Sequence, residues 1–239
     1  MGAQWKQKGR EASALKRGQV FGKLAKEIIV AAKLGGADPH LNARLFVAVE
    51  AAKKHSVPRD TIERAIKKGA GLTGEQVNYE LVTYEGFAPH KVPVIVECLT
   101  DNRNRTAPDI RLLFKAGQLG AMGSVAWMFN HVGVVEAHHA NSQQDLETVA
   151  IEAGAQNVEP LTDEIPDGHV GARFYCDRAD LDAVSKFLSK AGWTVTASEM
   201  SYVAKSTVAV PDSQKQEVVA FLSALDEHDD VHRVYTAME

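Results

Sequence analysis

The chain has 239 residues, 45% of them hydrophobic and 24% charged, which is the balance of a soluble globular protein with room for two or three domains. No apolar run approaches the roughly 20 residues of a membrane span, and the opening MGAQWKQKGREASALKRG lacks the apolar core of a secretory signal, so a cytoplasmic protein is expected. The net charge of −4 is unevenly placed: residues 1–70 carry 15 Lys and Arg against 6 Asp and Glu, and residues 71–239 carry 12 against 25. A basic head on an acidic body suggests contact with nucleic acid, set against the plainer reading of solvated, lysine-bearing helices.

The first 18 residues show no core-forming period. Lys6, Lys8, Arg10, Lys16 and Arg17, with Trp5, read as a flexible basic arm that orders on a nucleic-acid backbone, or as a disordered terminus. Val20, Phe21, Leu24, Ile28 and Ile29 then recur at helical spacing and predict a helix over 19–34. Asp38 and Pro39 suit the cap and first position of a second helix, whose buried stripe is Leu41, Leu45, Val49 and Ala52. After the short connection HSVP (55–58), RDTIERAIKKG forms a third helix, with Ile62, Ala65 and Ile66 inward and Gly69 as its stop.

Two helices joined by so short a turn resemble a helix-turn-helix. Arg59, Glu63, Arg64, Lys67 and Lys68 fall outside the apolar stripe, and Lys53 and Lys54 close the preceding helix. Two readings fit: a helix that contacts phosphates or enters a groove, and a solvated helix with a Glu63–Lys67 pair. The third helix holds no Asn or Gln to address adenine, which leaves phosphate contact better supported than base reading.

GAGLTGEQ (69–76) reads as a linker. Beyond it, strands are predicted over 79–86, 92–100, 123–130, 132–138, 155–161, 169–176, 193–201, 203–210 and 229–236. Helices are predicted over 106–116, 143–153, 178–191 and 212–225. Residues 132–201 thus follow the βαββαβ order of a ferredoxin-like domain, and the flanking βαβ runs at 92–130 and 203–236 together complete a second. The expected fold class is α+β: a basic arm and three-helix, helix-turn-helix-like domain (1–75), a discontinuous α+β domain (76–131 and 202–239), and an α+β domain inserted in it (132–201). In HVGARFYC, Phe174 is expected in the core and Tyr175, Arg173 and His169 on the opposite face, which does not match an RNA-recognition sheet. Cys98 and Cys176 lie far apart in strand-like runs and read as buried thiols.

Between the strand at 92–100 and the next helix stands DNRNRT (101–106). Thr106 with Asp109 has the form of a capping box, and Pro108 is tolerated in a first turn. Arg103, Asn104 and Arg105 are not explained by helix initiation. They either hold an anion at the helix N-terminus, or one arginine pairs with Asp101 or Asp109 while the asparagines cap turns.

DNRNRT, NARLFVAVEAAKKHSVPRDTIERAIKKGAG (42–71), YEGFAP (84–89) and GQLGAMGSVAWMF (117–129) together resemble the YebC/PmpR family, in that family's order over most of the chain. The resemblance implies a helical domain followed by two α+β domains. It also implies either a DNA-binding transcriptional regulator or, as for other members, a translational activator acting on ribosomes. Carried onto this chain, it points to Arg59, Arg64, Lys67 and Lys68 in the third helix and to Asn102, Asn104, Arg105 and Thr106 in the corner. The opening GAQWKQKG keeps the tryptophan and the basic character of the family's start but not its Gly-His-Ser-Lys.

The expected partners are therefore DNA or ribosomal RNA, with no membrane, small-molecule substrate, cofactor or metal. No Gly-rich phosphate loop, metal-ligand spacing or nucleophile elbow appears, so an enzyme is not expected. The His138–His139 pair reads as a solvated turn. A protein-binding adaptor with an acidic surface is a further alternative.

Overall fold

The computed structural model describes residues 4–74, 78–162 and 165–239; the side chains of residues 4–16 and 43 lie outside that description. Three helices come first: α1 (Gln4–Gly35), α2 (Ala43–Lys54) and α3 (Arg59–Gly69). The backbone of the expected arm is thus helical from Gln4, not from residue 19. The run contains no proline and is rich in Lys, Gln, Glu, Ala and Arg, so propensity carries the helix back past the last turn that any core requires. Of the expected linker, residues 75–77 lie outside the described residues.

Asn42, not Asp38, caps α2. Its side chain accepts from the Leu45 N–H at 3.0 Å and donates to the carbonyls of Ala31 and Gly36 at 2.8 and 2.9 Å, so one buried amide ties the end of α1 to the start of α2. Asp38 accepts from the N–H groups of Leu41 and Asn42 in a separate turn, and Leu41, expected inside, is exposed. Leu45, Val49, Ala52, Ile62 and Ala65 are buried as expected, against Ile28, Ala31 and Ala32 of α1. The α1–α3 approach needs glycine: a Cβ on Gly69 would stand 2.3 Å from the Ile29 carbonyl oxygen.

The body follows as β1 (Glu80–Ala88), β2 (Val92–Thr100), α4 (Arg103–Leu113), β3 (Gln118–Leu119), β4 (Phe129–His139), α5 (Leu146–Ala153), β5 (Asn157–Leu161), β6 (Val170–Cys176), α6 (Leu181–Lys190), β7 (Thr194–Ala204), α7 (Asp212–Asp226) and β8 (Val231–Thr236). These strands make two four-stranded sheets, ordered β3-β1-β2-β8 and β5-β6-β4-β7, antiparallel throughout. The second order is that of a ferredoxin-like βαββαβ unit. Its strands are contiguous in sequence and interrupt the first sheet between β3 and α7.

The strands expected at 123–130 and 203–210 are absent as such. The first stretch holds a short 3-10 turn, Ala126–Met128, before β4 begins at Phe129, and the short strand paired with β1 forms earlier, at Gln118–Leu119. The second stretch contributes a single bridge, Val208 to Met238. The strands predicted at 132–138 and 193–201 are longer, running from Phe129 and to Ala204. Both extensions serve a second core. Phe129, with Ile95, Val125 and Ala237, packs on the face of the first sheet turned away from its helices, where Phe87, Tyr202 and Tyr235 join it.

Helices α4 and α7 cover the other face of the first sheet, on Val94, Val96 and Cys98. Helices α5 and α6 cover the second, on Val135, Ala172 and the fully buried Phe174. Burial pushes the two free thiols up, Cys98 to about 12 and Cys176 to about 11, which makes them inert packing groups. His138 and His139 end β4 rather than forming a turn, and His138 Nδ1 lies 2.9 Å from His169 Nδ1.

Candidate nucleic-acid interface

The exposed cations of the head collect on α3 and at the end of α2. Arg59 has 90% of its side chain exposed, and its Nε donates to Glu63 at 2.8 Å. Glu63 thus pairs with Arg59, where the solvated-helix reading has it pair with Lys67. Arg64 is exposed and donates to the Asp60 carbonyl at 3.1 Å, and Lys67 is exposed on the same helix. Lys68 is half-buried. At the end of α2, Lys53 pairs with Glu50 at 2.7 Å, and Lys54 is exposed beside it. Arg17 is exposed on α1, while Lys6, Lys8 and Lys16 lie on the same helix with side chains outside the described residues. The ion pairs on α2 and α3 are within one helix and open to water, so each is weak and readily exchanged for a phosphate.

The other basic side of the head turns to the body. Lys26 donates to Asp230 Oδ1 at 2.8 Å and to the Asp229 carbonyl at 2.9 Å. Lys23 reaches the Asp226 backbone carbonyl, and Gln19 donates to that of Glu227 at 3.2 Å. Glu27 takes Arg44 of α2 at 2.9 Å on one oxygen and His232 of β8 at 3.2 Å on the other. Burial opposes ionisation of Glu27, but His232 and Arg44 outweigh it and hold the carboxyl down at about 2. Part of the head's positive charge is thus met within the molecule, across an open cleft of about 890 Å³ whose walls include Lys23, Lys26, Arg105 and Asp230.

The DNRNRT corner sits at that junction. Helix α4 starts at Arg103, three residues earlier than expected, and Asn102 is its cap, accepting from the Arg105 N–H at 3.2 Å. Thr106 is therefore not the cap. It is fully buried, and its hydroxyl lies 2.8 Å from Asp230 Oδ2, to which it donates, and 2.7 Å from the Thr100 hydroxyl. Arg105 reaches Asp230 at 3.0 Å and Asp101 at 3.1 Å. Arg103 pairs with Glu80 at 2.5 Å, and Asn104 is exposed. Burial pushes Asp230 up, but hydrogen bonds from Lys26, Thr106 and Arg105 prevail and hold it at about 2. Sequence reading missed Asp230, Lys26 and Glu27. Their one visible signal is the acidic run DEHDD (226–230) in a chain whose first helix is basic.

Fold and surface together define a three-part α+β protein with a basic helical head. The chain belongs to the TACO1/YebC family: a model of the TACO1/YebC N-terminal domain matches residues 2–72, and one of the TACO1/YebC second and third domain matches residues 79–238. It is 56% identical over 240 residues to a "Probable transcriptional regulatory protein" of Pseudomonas syringae pv. syringae, covering 100% of this chain and 99% of that one. A relative of the same description from Bdellovibrio bacteriovorus is 51% identical over 241 residues, covering all of both chains. The crystal structure of a conserved hypothetical protein from Aquifex aeolicus, 41% identical, superposes with a TM-score of 0.76 over 94% of this chain and 90% of that one. Among the described residues, no helix is long and apolar enough to cross a membrane.

Proposed function

We propose that this protein is a nucleic-acid-binding regulator of gene expression, acting in the cytoplasm as a DNA-binding transcriptional regulator and not as an enzyme. The observation that carries the reading is the exposed cationic row Arg59, Arg64 and Lys67 on α3, next to Lys53 and Lys54 at the short turn. Lys68, Arg17 and the α1 residues Lys6, Lys8 and Lys16 extend it. The names of the relatives agree. Of the DNRNRT corner, Asn102, Asn104 and the outer faces of Arg103 and Arg105 are open to a phosphate, although the Asn102 side chain also caps α4; Thr106 supports the corner from within.

One observation favours a second reading, a factor that binds ribosomal RNA and acts in translation. Helix α3, RDTIERAIKKG, carries no Asn or Gln, so its contacts suit phosphates more than bases. The test is substitution of Arg59, Arg64 and Lys67 by Gln in the full chain. Affinity for duplex DNA and for structured RNA is expected to fall, and the slope of log affinity on log salt to flatten by up to about 3. An unchanged slope would overturn the assignment of the head. Crosslinking in cells then separates the readings: discrete promoter DNA supports transcription, ribosomal RNA supports translation.

A further inference from the structure

The loop between β3 and β4 displays two large apolar side chains and is held rigidly from below. Met122 is 90% exposed and Trp127 is 66% exposed. Beneath them the carboxylate of Glu85, itself buried, accepts from the N–H groups of Gly123, Val125 and Ala126 at 2.7, 2.9 and 2.8 Å. Lys205 donates to the Trp127 carbonyl at 2.8 Å, and the Trp127 indole N–H donates to the Ser124 carbonyl at 3.1 Å. The one polar atom of the indole is therefore satisfied inside the loop. What faces solvent is ring surface, fixed in place.

The sequence through this loop differs in charge from the rest of the body. Residues 71–239 carry 25 Asp and Glu, yet the 26 residues from Ile110 to Val135 contain none, while they do contain Arg111 and Lys115. Lys205 adds a cation at the backbone carbonyl of Trp127. An exposed aromatic ring with a lysine at its own backbone carbonyl and no nearby acid in sequence is the surface on which a nucleobase stacks above its phosphate chain. An apolar protein partner needs a broader patch than two side chains.

We propose that residues 120–128 form a stacking platform for an unpaired nucleobase, with Trp127 as the ring that contacts it. The proposal rests on the nucleic-acid reading of the head and adds a second contact point on the body. Stacking requires a base free of a duplex, so the platform reads single-stranded segments, whereas the head's cations meet phosphates of either form.

The test uses the full chain and three probes at fixed salt: a short single-stranded RNA, single-stranded DNA of the same sequence, and the RNA as a duplex. Trp127→Ala is expected to weaken single-strand binding roughly 5- to 100-fold and to leave duplex binding unchanged; Trp127→Phe restores most of the loss. In a Trp5→Phe chain, where the remaining Trp193 is only 4% exposed, single strands are expected to quench Trp127 fluorescence. Loss with both single strands, or with the RNA alone, supports the platform and tells which sugar it accepts. Unchanged single-strand binding by Trp127→Ala overturns it, whether or not the loop serves a protein partner. Equal loss of duplex binding also overturns it, as damage to the fold. If the head variant weakens all probes while Trp127→Ala weakens none, only the platform falls; if the wild type binds no probe, both readings fall.

Discussion

Arg105 and Asp230 stand 125 positions apart in sequence, and the Arg105 guanidinium lies 3.0 Å from Asp230 Oδ2. The same carboxylate receives Lys26 from the head and the Thr106 hydroxyl from α4. One buried acid thus joins the start of α4, the approach to β8 and the first helix. The DNRNRT corner is dense in polar groups because three parts of the chain meet there and the buried carboxylate needs a donor from each.

Asp230→Asn is expected to cost roughly 2–4 kcal/mol, because it removes the negative member of a largely buried cluster and leaves two cations facing a neutral amide. Lys26→Met and Arg105→Gln are each expected to cost less, since both side chains reach water. Coupling is the informative quantity: in double-mutant cycles by urea unfolding, Lys26 with Asp230 and Arg105 with Asp230 should each couple, while Lys53 with Asp230 should not. Absence of coupling for Lys26 would mean that the head does not dock on the body through Asp230.

Acid should loosen this junction only below the ordinary carboxylate range. The carboxyls of Asp230 and Glu27 are depressed to about 2 in the folded chain from ordinary values of 3.8 and 4.5. A depressed carboxylate contributes stability that is fully present above its unfolded value and is lost as pH falls through the folded one. Stability is therefore expected to be level from pH 7 to about 5 and to decline between about pH 4.5 and 2. Asp230→Asn should flatten part of that decline, which urea midpoints at a series of pH values would reveal.

Two residues of the corner separate capping from core packing. Asn102→Ala removes the cap of α4 and is expected to cost about 0.5–2 kcal/mol. Thr106→Ala removes a buried donor to Asp230, and about 1–3 kcal/mol is expected. Thr106→Ser keeps the hydroxyl and should recover most of the second loss and none of the first. Melting temperatures of the three variants check this. A Thr106→Ala chain as stable as wild type would show that the hydroxyl is dispensable to the cluster.

Local elements were legible in the sequence where one force decided them. VPVIVECLT is buried along its whole length, and the strand expected at 92–100 is the strand observed. Helix α3 likewise ended where its glycine stands. The expected strand at 123–130 failed because the N–H groups that a ladder requires are taken by Glu85, about 40 positions earlier. No local pattern announces a carboxylate from so far away. The basic face of α3 was readable because exposed charge next to an apolar stripe is a local property. The docking side of α1 was not, because its lysines acquire meaning only once the 226–230 segment is brought against them.

The inserted sheet should be separable from the rest. Phe129 and Ala204 are register partners at the ends of β4 and β7, so the two chain crossings into the unit run side by side. A short Gly/Ser linker can therefore replace residues 129–204 without stretching the first sheet. The excised unit keeps its own core of Val135, Ala172, Phe174, Val184, Leu188 and Trp193, and is expected to unfold cooperatively on its own. The remainder loses Phe129 and Tyr202 from the face that holds Ile95 and Tyr235, and with them the Arg233 pairing to Glu199. It should fold with lower stability and with the head still docked through Lys26 and Asp230. Calorimetry of both pieces gives the outcome. If neither shows a cooperative transition, the unit is not autonomous, and the two sheets fold only as one body.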